Sequence, residues 1–237
     1  NITKKKIIKK PVFFYFKSLL LLTLKSLDGL NYLLLLNLKL KYFLMDKPKI
    51  VKSSVADLER VKAVLTVGFS SDALLRWVFP DASSYLKCFD IWMEEFSKRA
   101  FENNIVYSEE NLFGSSLWHP PGVEFDNSIL EPTFEYIPTD RIEVVVKFFE
   151  EFEKYHPDDA WYLPFIAVDP SQQRKGIGSF LLKEALSMID AKGDRAYLEA
   201  SNELNKALYE RHGFVEIGRV QFEDSPPAFP MIRESIK

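Results

Sequence analysis

The stretch Gln173-Arg174-Lys175-Gly176-Ile177-Gly178 constrains this chain more than any other part of it. An apolar run, Trp161 to Val168, precedes it and ends at Asp169-Pro170. An amphipathic run, Ser179 to Ile189, follows. That order reads as strand, glycine-bearing turn, helix. The first turn of a helix leaves backbone N–H groups without intrahelical partners. Together with the positive end of the helix dipole they form an anion site. Gly176 and Gly178 let a ligand approach backbone where a Cβ would otherwise stand. Arg174 and Lys175 add two cationic side chains at the same place. The chemistry implied is diphosphate binding. A Walker loop is absent, and a Rossmann fingerprint would need a third glycine where Leu181 stands.

Downstream, Tyr197-Leu198-Glu199-Ala200-Ser201 reads as a second strand, followed by Asn202-Glu203-Leu204-Asn205 and by Leu208-Tyr209-Glu210-Arg211-His212-Gly213-Phe214. Asn205 and Tyr209 are four residues apart and share one helix face. Gly213 falls where that helix stops, at the position that favours positive φ. Phe214 then opens a strand expected over Val215 to Val220. The loop Gln173–Gly178 fits Gln/Arg-x-x-Gly-x-Gly/Ala after a strand. With Leu-Glu-Ala-Ser-Asn, Asn205, Leu208-Tyr209 and Gly213-Phe214, it resembles the GNAT superfamily of N-acetyltransferases. The resemblance covers about 160–235 strongly and 48–159 less fully.

The resemblance implies a mixed α/β (α+β) fold: a central sheet whose parallel strands splay apart, flanked by helices. It implies transfer of an acetyl group from acetyl-coenzyme A to a primary amine of a small molecule or protein. By that likeness, backbone groups near Ile166, Ala167 and Val168 bond the pantetheine amides, and one N–H of this strand polarises the thioester carbonyl. Gln173, Arg174, Lys175, Gly176, Ile177, Gly178 and Ser179 cradle the diphosphate. Asn205 bonds the pantetheine arm. Tyr209 matches the family position facing the coenzyme A sulfur, where a phenol of pKa near 10 suits a proton donor. By the same likeness Glu199 lies on the splayed strand by the acetyl end and is the first candidate for the base; strand alternation sets it opposite Leu198 and Ala200. His156, Asp158 and Asp159 are weaker candidates acting through water. Trp118, His119 and Trp161 are the aromatic groups expected nearest the amine.

Charge is distributed unevenly. Residues 1–45 carry nine Lys and one Asp, whereas 46–237 carry 22 basic and 33 acidic residues, a net of −11. An acidic body disfavours nucleic acid as partner and favours cationic amines. The single cysteine, Cys88, excludes an internal disulfide and fits a reducing, cytoplasmic setting. No Cys/His cluster signals a metal. Residues 1–44 form a Lys- and Leu-rich extension outside the expected domain, 45–237, which opens at Met45-Asp46-Lys47-Pro48. Lysines interrupt the extension too often for a membrane span, although a helix lying on a membrane surface stays open. Two other functional classes also stay open. One is a catalytically silent acyl-coenzyme A-binding module acting through a partner; the other is a membrane-associated protein defined by the extension. A homodimer is compatible with the chain.

The remaining pattern predicts a strand over Lys49 to Val55, a helix over Ala56 to Phe69 and a helical continuation from Ser71 to Phe79. The clearest helix spans Ser83 to Phe101, with Tyr85, Phe89, Trp92, Met93, Phe96 and Ala100 as one core stripe. A hairpin is expected over Asn104–Tyr107 and Leu112–Trp118, then a proline-bearing loop over the substrate site from Val123 to Pro138. Arg141 to Lys154 reads as a helix. Trp161 to Val168 alternates too little for a one-faced sheet and is expected to be central. A last strand is expected over Phe229 to Ile232.

Overall fold

The computed structural model describes residues 47–123 and 127–236; the expectations for residues 1–44 lie outside the described residues. Seven strands form one mixed sheet: β1 (Ile50–Lys52), β2 (Val106–Glu109), β3 (Gly114–His119), β4 (Ala160–Val168), β5 (Arg195–Ala200), β6 (Val215–Glu216) and β7 (Phe229–Arg233). Their order across the sheet is β1-β2-β3-β4-β5-β7-β6. Among the described residues only β4 and β5 pair in parallel, and the helix between them supplies the long connection that a parallel pair needs. The helices are α1 (Leu58–Phe69), α2 (Ala73–Val78), α3 (Ala82–Glu102), α4 (Ile142–Glu153), α5 (Ile177–Lys192) and α6 (Glu203–Glu210).

The sheet separates two apolar cores. One holds α1, α3 and α4 against Val106, Leu117, Phe165 and Ala167. The other holds α5 against Trp118, Trp161, Leu163, Ala196 and Leu198. Neighbours on a strand point to opposite faces, so Leu117 and Trp118 fall into different cores. On β4 the parity changes midway. Trp161 and Leu163 face α5, yet Phe165 and Ala167 face α1 and α3. The register explains this: Leu117 pairs with Phe165 but His119 with Tyr162, so β4 carries one extra residue there. A bulge of this kind bends the strand and re-aims the side chains beyond it. Pro164 sits within it, where a missing N–H is tolerated inside a sheet.

Several expected elements are shorter in the structure. The first strand covers only Ile50–Lys52. The helical continuation from Ser71 is a separate helix, because the Asp72 carboxylate accepts from Leu74 and Leu75 N–H at 3.1 Å each and starts α2 afresh. The strand expected over Val215–Val220 pairs only at Val215 and Glu216, apart from a bridge between Val220 and Ala228. The segment Asn127–Tyr136, expected to be loop, is a 3-10 run. In the α3 stripe, Tyr85, Phe89, Trp92, Met93 and Ala100 are core and Phe96 packs against them; Trp92 and Phe96 also line a cavity.

The far end of the sheet is tied by one ion pair. Arg233, 4% exposed in its side chain, grips both oxygens of Asp190 at 2.7 and 2.8 Å and donates to the His212 carbonyl at 2.8 Å. This joins β7, the last turns of α5 and the end of α6. Hydrogen bonding to Arg233 holds the Asp190 carboxyl below the usual range. Removing one partner of such a pair strands a buried charge. Asp190→Ala is therefore expected to cost about 3 kcal/mol in chemical denaturation. Because the folded pKa is depressed, the wild-type contribution is complete above about pH 4 and fades as pH falls further. The variant's stability should therefore depend less on pH in that acid window.

Candidate functional site

The site is built where β4 and β5 part. They pair only over Ala160–Tyr162 and Arg195–Tyr197, although β4 runs on to Val168 and β5 to Ala200. Beyond Tyr162 the edge of β4 facing β5 keeps backbone groups with no ladder partner on that side, and Ile166, Ala167 and Val168 all lie on this stretch. Ala167 is buried toward α1; Ile166 and Val168 pack toward α5.

The glycine loop closes the top of the gap. Asp169 accepts from the Ser171 amide at 2.8 Å and hydroxyl at 2.6 Å, which ends β4 in a tight turn. Gln173 Nε2 donates back to the Val168 carbonyl at 3.3 Å. Arg174 and Gly176 are both left-handed, with φ of 64° and 87°. At Gly176 the backbone angle demands glycine, since an added Cβ would meet only Phe180 at 3.8 Å. Amides turned by left-handed residues make anion-binding concavities. The first α5 bond runs from Phe180 N–H to the Gly176 carbonyl at 3.1 Å, so the amides of Ile177, Gly178 and Ser179 have no partner inside the helix. Arg174 and Lys175 are exposed beside them. The Ser179 hydroxyl is engaged by His212 Nε2 at 2.8 Å. These features fit an extended ligand with a diphosphate at the α5 end and a flexible amide-bearing arm along β4.

Helix α6 covers the other side of the gap. Asn202 caps it by accepting from the Asn205 amide at 2.9 Å. The Asn205 side chain donates to Ser201 Oγ at 3.4 Å, and Ser201 donates to Asp72 at 2.6 Å. Asp72 thereby links α2 to the β5–α6 turn. Tyr209, one turn beyond Asn205, is 6% exposed. Burial and the negative charges of Asp72 and Glu199 push its phenol well above 10, so it holds its proton at neutral pH. Gly213 ends the helical segment with φ of 88°.

Glu199 is half-buried and opens onto a cavity of about 1050 Å³ between the sheet and α2, α3 and α4. Burial raises its carboxyl to about 7, against the opposing pull of the Tyr197 and Tyr162 hydroxyls. The Tyr197 hydroxyl lies near enough to favour the Glu199 anion, without completing a hydrogen bond of standard geometry. His156 packs its ring on Tyr162 and Tyr197 at 4.7 and 5.0 Å, and burial lowers its pKa. Thus a carboxylate that titrates near neutrality is flanked by two phenols and an imidazole.

Of the sequence-selected residues, Glu199, His119, His156 and Asp158 line this cavity. Gln173 to Ser179, Ile166 to Val168, Asn205 and Tyr209 border the neighbouring gap. Trp118 and Trp161 do not join them. Both pack in the α5 core, where the Trp161 ring N–H donates to Asp194 at 2.9 Å. Asp159 turns away to pair with Arg195. His119 is buried, and that burial, with Arg99 nearby, lowers it to about 3, so it is neutral. Residues not selected from sequence include Asp72, Tyr162, Pro164 and Tyr197. Tyr197 was within reach, since it lies two places before Glu199 on the same strand face.

Residues 142–216 match the family model for the acetyltransferase (GNAT) domain. An uncharacterised N-acetyltransferase of Schizosaccharomyces pombe, C550.08, is 32% identical over 125 residues, covering 47% of this chain and 51% of that one. This chain thus spans about half the length of that curated relative. Among solved structures, a histone acetyltransferase HPA2 and related acetyltransferase from Corynebacterium glutamicum superposes with a TM-score of 0.59 at 20% identity, over 81% of this chain and 98% of that one. Arylalkylamine N-acetyltransferase 2 of Aedes aegypti gives a TM-score of 0.55 at 11% identity, over 79% and 99%. A mixed sheet opened between two parallel strands, with a glycine loop at the opening, defines an acetyltransferase fold. Residues 142–216 are thus similar to a GNAT acetyltransferase domain, and the fold as a whole is that of solved acetyltransferases. Among the described residues, no helix is long and apolar enough to cross a membrane.

The Glu199 environment makes a direct prediction. Carbon NMR of a labelled Glu199 carboxyl should show a midpoint near 7, not the roughly 4.3 of a free glutamate. Tyr197→Phe together with Tyr162→Phe should raise it further, since both hydroxyls favour the anion. A midpoint near 4 would show that the site solvates this carboxylate fully.

Proposed function

We propose that this protein transfers an acetyl group from acetyl-coenzyme A to a primary amine. The observation that carries this reading is the convergence of three features on the β4–β5 opening. These are the left-handed loop at the start of α5, the proton-holding Tyr209 on one side, and the near-neutral Glu199 on the other. A silent binding module would need only the first.

In this reading the amides of 175–179, with Arg174 and Lys175, hold the diphosphate, and the free edge at Ile166–Val168 holds the amide-bearing arm with Asn205. Acetyl-coenzyme A, when bound, supplies an activated thioester whose acetyl carbon accepts the amine. Glu199 takes one proton from the incoming ammonium, which frees the nitrogen lone pair. As the C–N bond forms and the C–S bond breaks, Tyr209 gives its proton to the departing sulfur. The second N–H proton replaces the one Tyr209 lost, and Glu199 releases its proton to solvent past His156. A base near pKa 7 is matched to neutral pH. We assign this activity to residues 45–237, with 1–44 dispensable for it. A cytoplasmic setting suits the buried free thiol of Cys88.

Two experiments test the assignment. Gly176→Val forces a branched side chain into a left-handed angle, which costs about 1–2 kcal/mol, and distorts the loop. Calorimetry should show acetyl-coenzyme A affinity falling by at least about tenfold while the fold persists; unchanged affinity would place the diphosphate elsewhere. Tyr209→Phe should lower turnover by about a hundredfold, the scale of one proton-transfer catalyst, with cofactor affinity nearly unchanged. Wild-type turnover, measured where chemistry limits the rate, would remove the role.

A further inference from the structure

The cavity in front of Glu199 has a composition that narrows the acceptor, and this inference rests on the acetyltransferase reading above. Its walls carry two groups of aromatic rings. Phe165 lies 5.5 Å from Phe69 and 5.1 Å from Phe96, ring centre to ring centre, and Trp92 lies 6.0 Å from Phe149. Every formally charged residue lining it, among the described residues, is a carboxylate: Asp72, Glu150, Glu153, Asp158 and Glu199. Neither Lys nor Arg lines it. Glu150, Glu153 and Asp158 are exposed and stand on α4 and the turn that follows it. Asp72 and Glu199 are half-buried, at the sheet side. At about 1050 Å³ the space exceeds what a bare alkylammonium needs and reaches the upper end for small-ligand pockets.

We propose that the acceptor is a small primary amine bearing a compact aromatic or branched apolar body and no carboxylate. The apolar body displaces water from the Phe69, Trp92, Phe96, Phe149 and Phe165 surface. The ammonium sits where Glu199 can take its proton. An α-carboxylate would enter a field of like charge with no cation to pair with it, so free amino acids are rejected. A polyamine would set further ammonium groups against aromatic walls instead of water. A peptide terminus would bury backbone amides where the walls offer few partners.

The test uses the full chain with acetyl-coenzyme A and reads free-thiol release for 2-phenylethylamine, ethylamine, phenylalanine, phenylalanine amide, spermidine and a short peptide with a free amino terminus. Tryptophan fluorescence follows amine binding without the donor. The kcat/KM for 2-phenylethylamine should exceed that for ethylamine and for phenylalanine by about a hundredfold, the discrimination an apolar pocket can reach. Phenylalanine amide should recover at least about tenfold over phenylalanine. Phe149→Ala should reduce the 2-phenylethylamine value about tenfold more than the ethylamine value. Glu153→Lys combined with Asp158→Lys, both at exposed positions, should relax the penalty against phenylalanine. Equal rates for ethylamine and 2-phenylethylamine, or a preference for spermidine, phenylalanine or the peptide, would overturn the inference and leave the acetyltransferase reading intact. Fluorescence quenching by 2-phenylethylamine with no thiol release from any amine would overturn that reading and leave the cavity assignment standing. Neither quenching nor release would overturn the inference.

Discussion

Between Tyr162 and Phe165 strand β4 advances three residues while β3 advances two, from His119 to Leu117. The architecture of the site depends on this mismatch. A strand with an extra residue bends and twists away from its neighbour, and Pro164 removes an amide that a ladder would use. Pairing with β5 stops at Tyr162, just before the bulge. Past it, side chains exchange faces, so Phe165 joins the cavity wall that Tyr162 and Pro164 also line. One inserted residue therefore accounts for the gap, the free backbone edge and the shape of the neighbouring cavity.

The electrostatics follow from that geometry. Opening the sheet makes a space that is enclosed but not filled. A carboxylate placed there loses much of its hydration, and Glu199 rises to about 7 as a result. The same enclosure drives the Tyr209 phenol upward, and Asp72 and Glu199 reinforce the shift. One fold thus yields a group that readily takes a proton beside a group that firmly keeps one. Environments that push titratable groups apart in this way separate acid from base roles.

Much of this was legible in the sequence. The strand–loop–helix order around Gly176 and the helix-ending Gly213 were readable because glycine at positive φ is a local requirement. The face that Glu199 takes on β5 was readable because strand alternation is strict. What stayed hidden depended on contacts far apart in the chain. Asp72 reaches Ser201 across 129 positions, and no local pattern marks it. Trp118 and Trp161 looked like acceptor contacts because aromatic residues beside a site suit either role. Strand parity places both in the α5 core, Trp118 by the alternation of β3 and Trp161 by that of β4 before the bulge. Pro164 was the overlooked clue: a proline in a run otherwise reading as a central strand demands an explanation.

The two sides of the opening are made from different parts of the chain. Residues of β4, α5, β5 and α6 build the loop and the backbone edge, all between 160 and 210. The cavity walls add residues of α2, α3, α4 and the 3-10 segment Asn127–Tyr136 to those of β4 and β5. Arg233 and Asp190 brace the first group from the distal end of α5, independently of those walls. Mutational drift in the wall segments can therefore reshape what the cavity accepts while the glycine loop keeps its geometry. Such a scaffold lets the cavity change its lining while the loop and its backbone edge stay as they are.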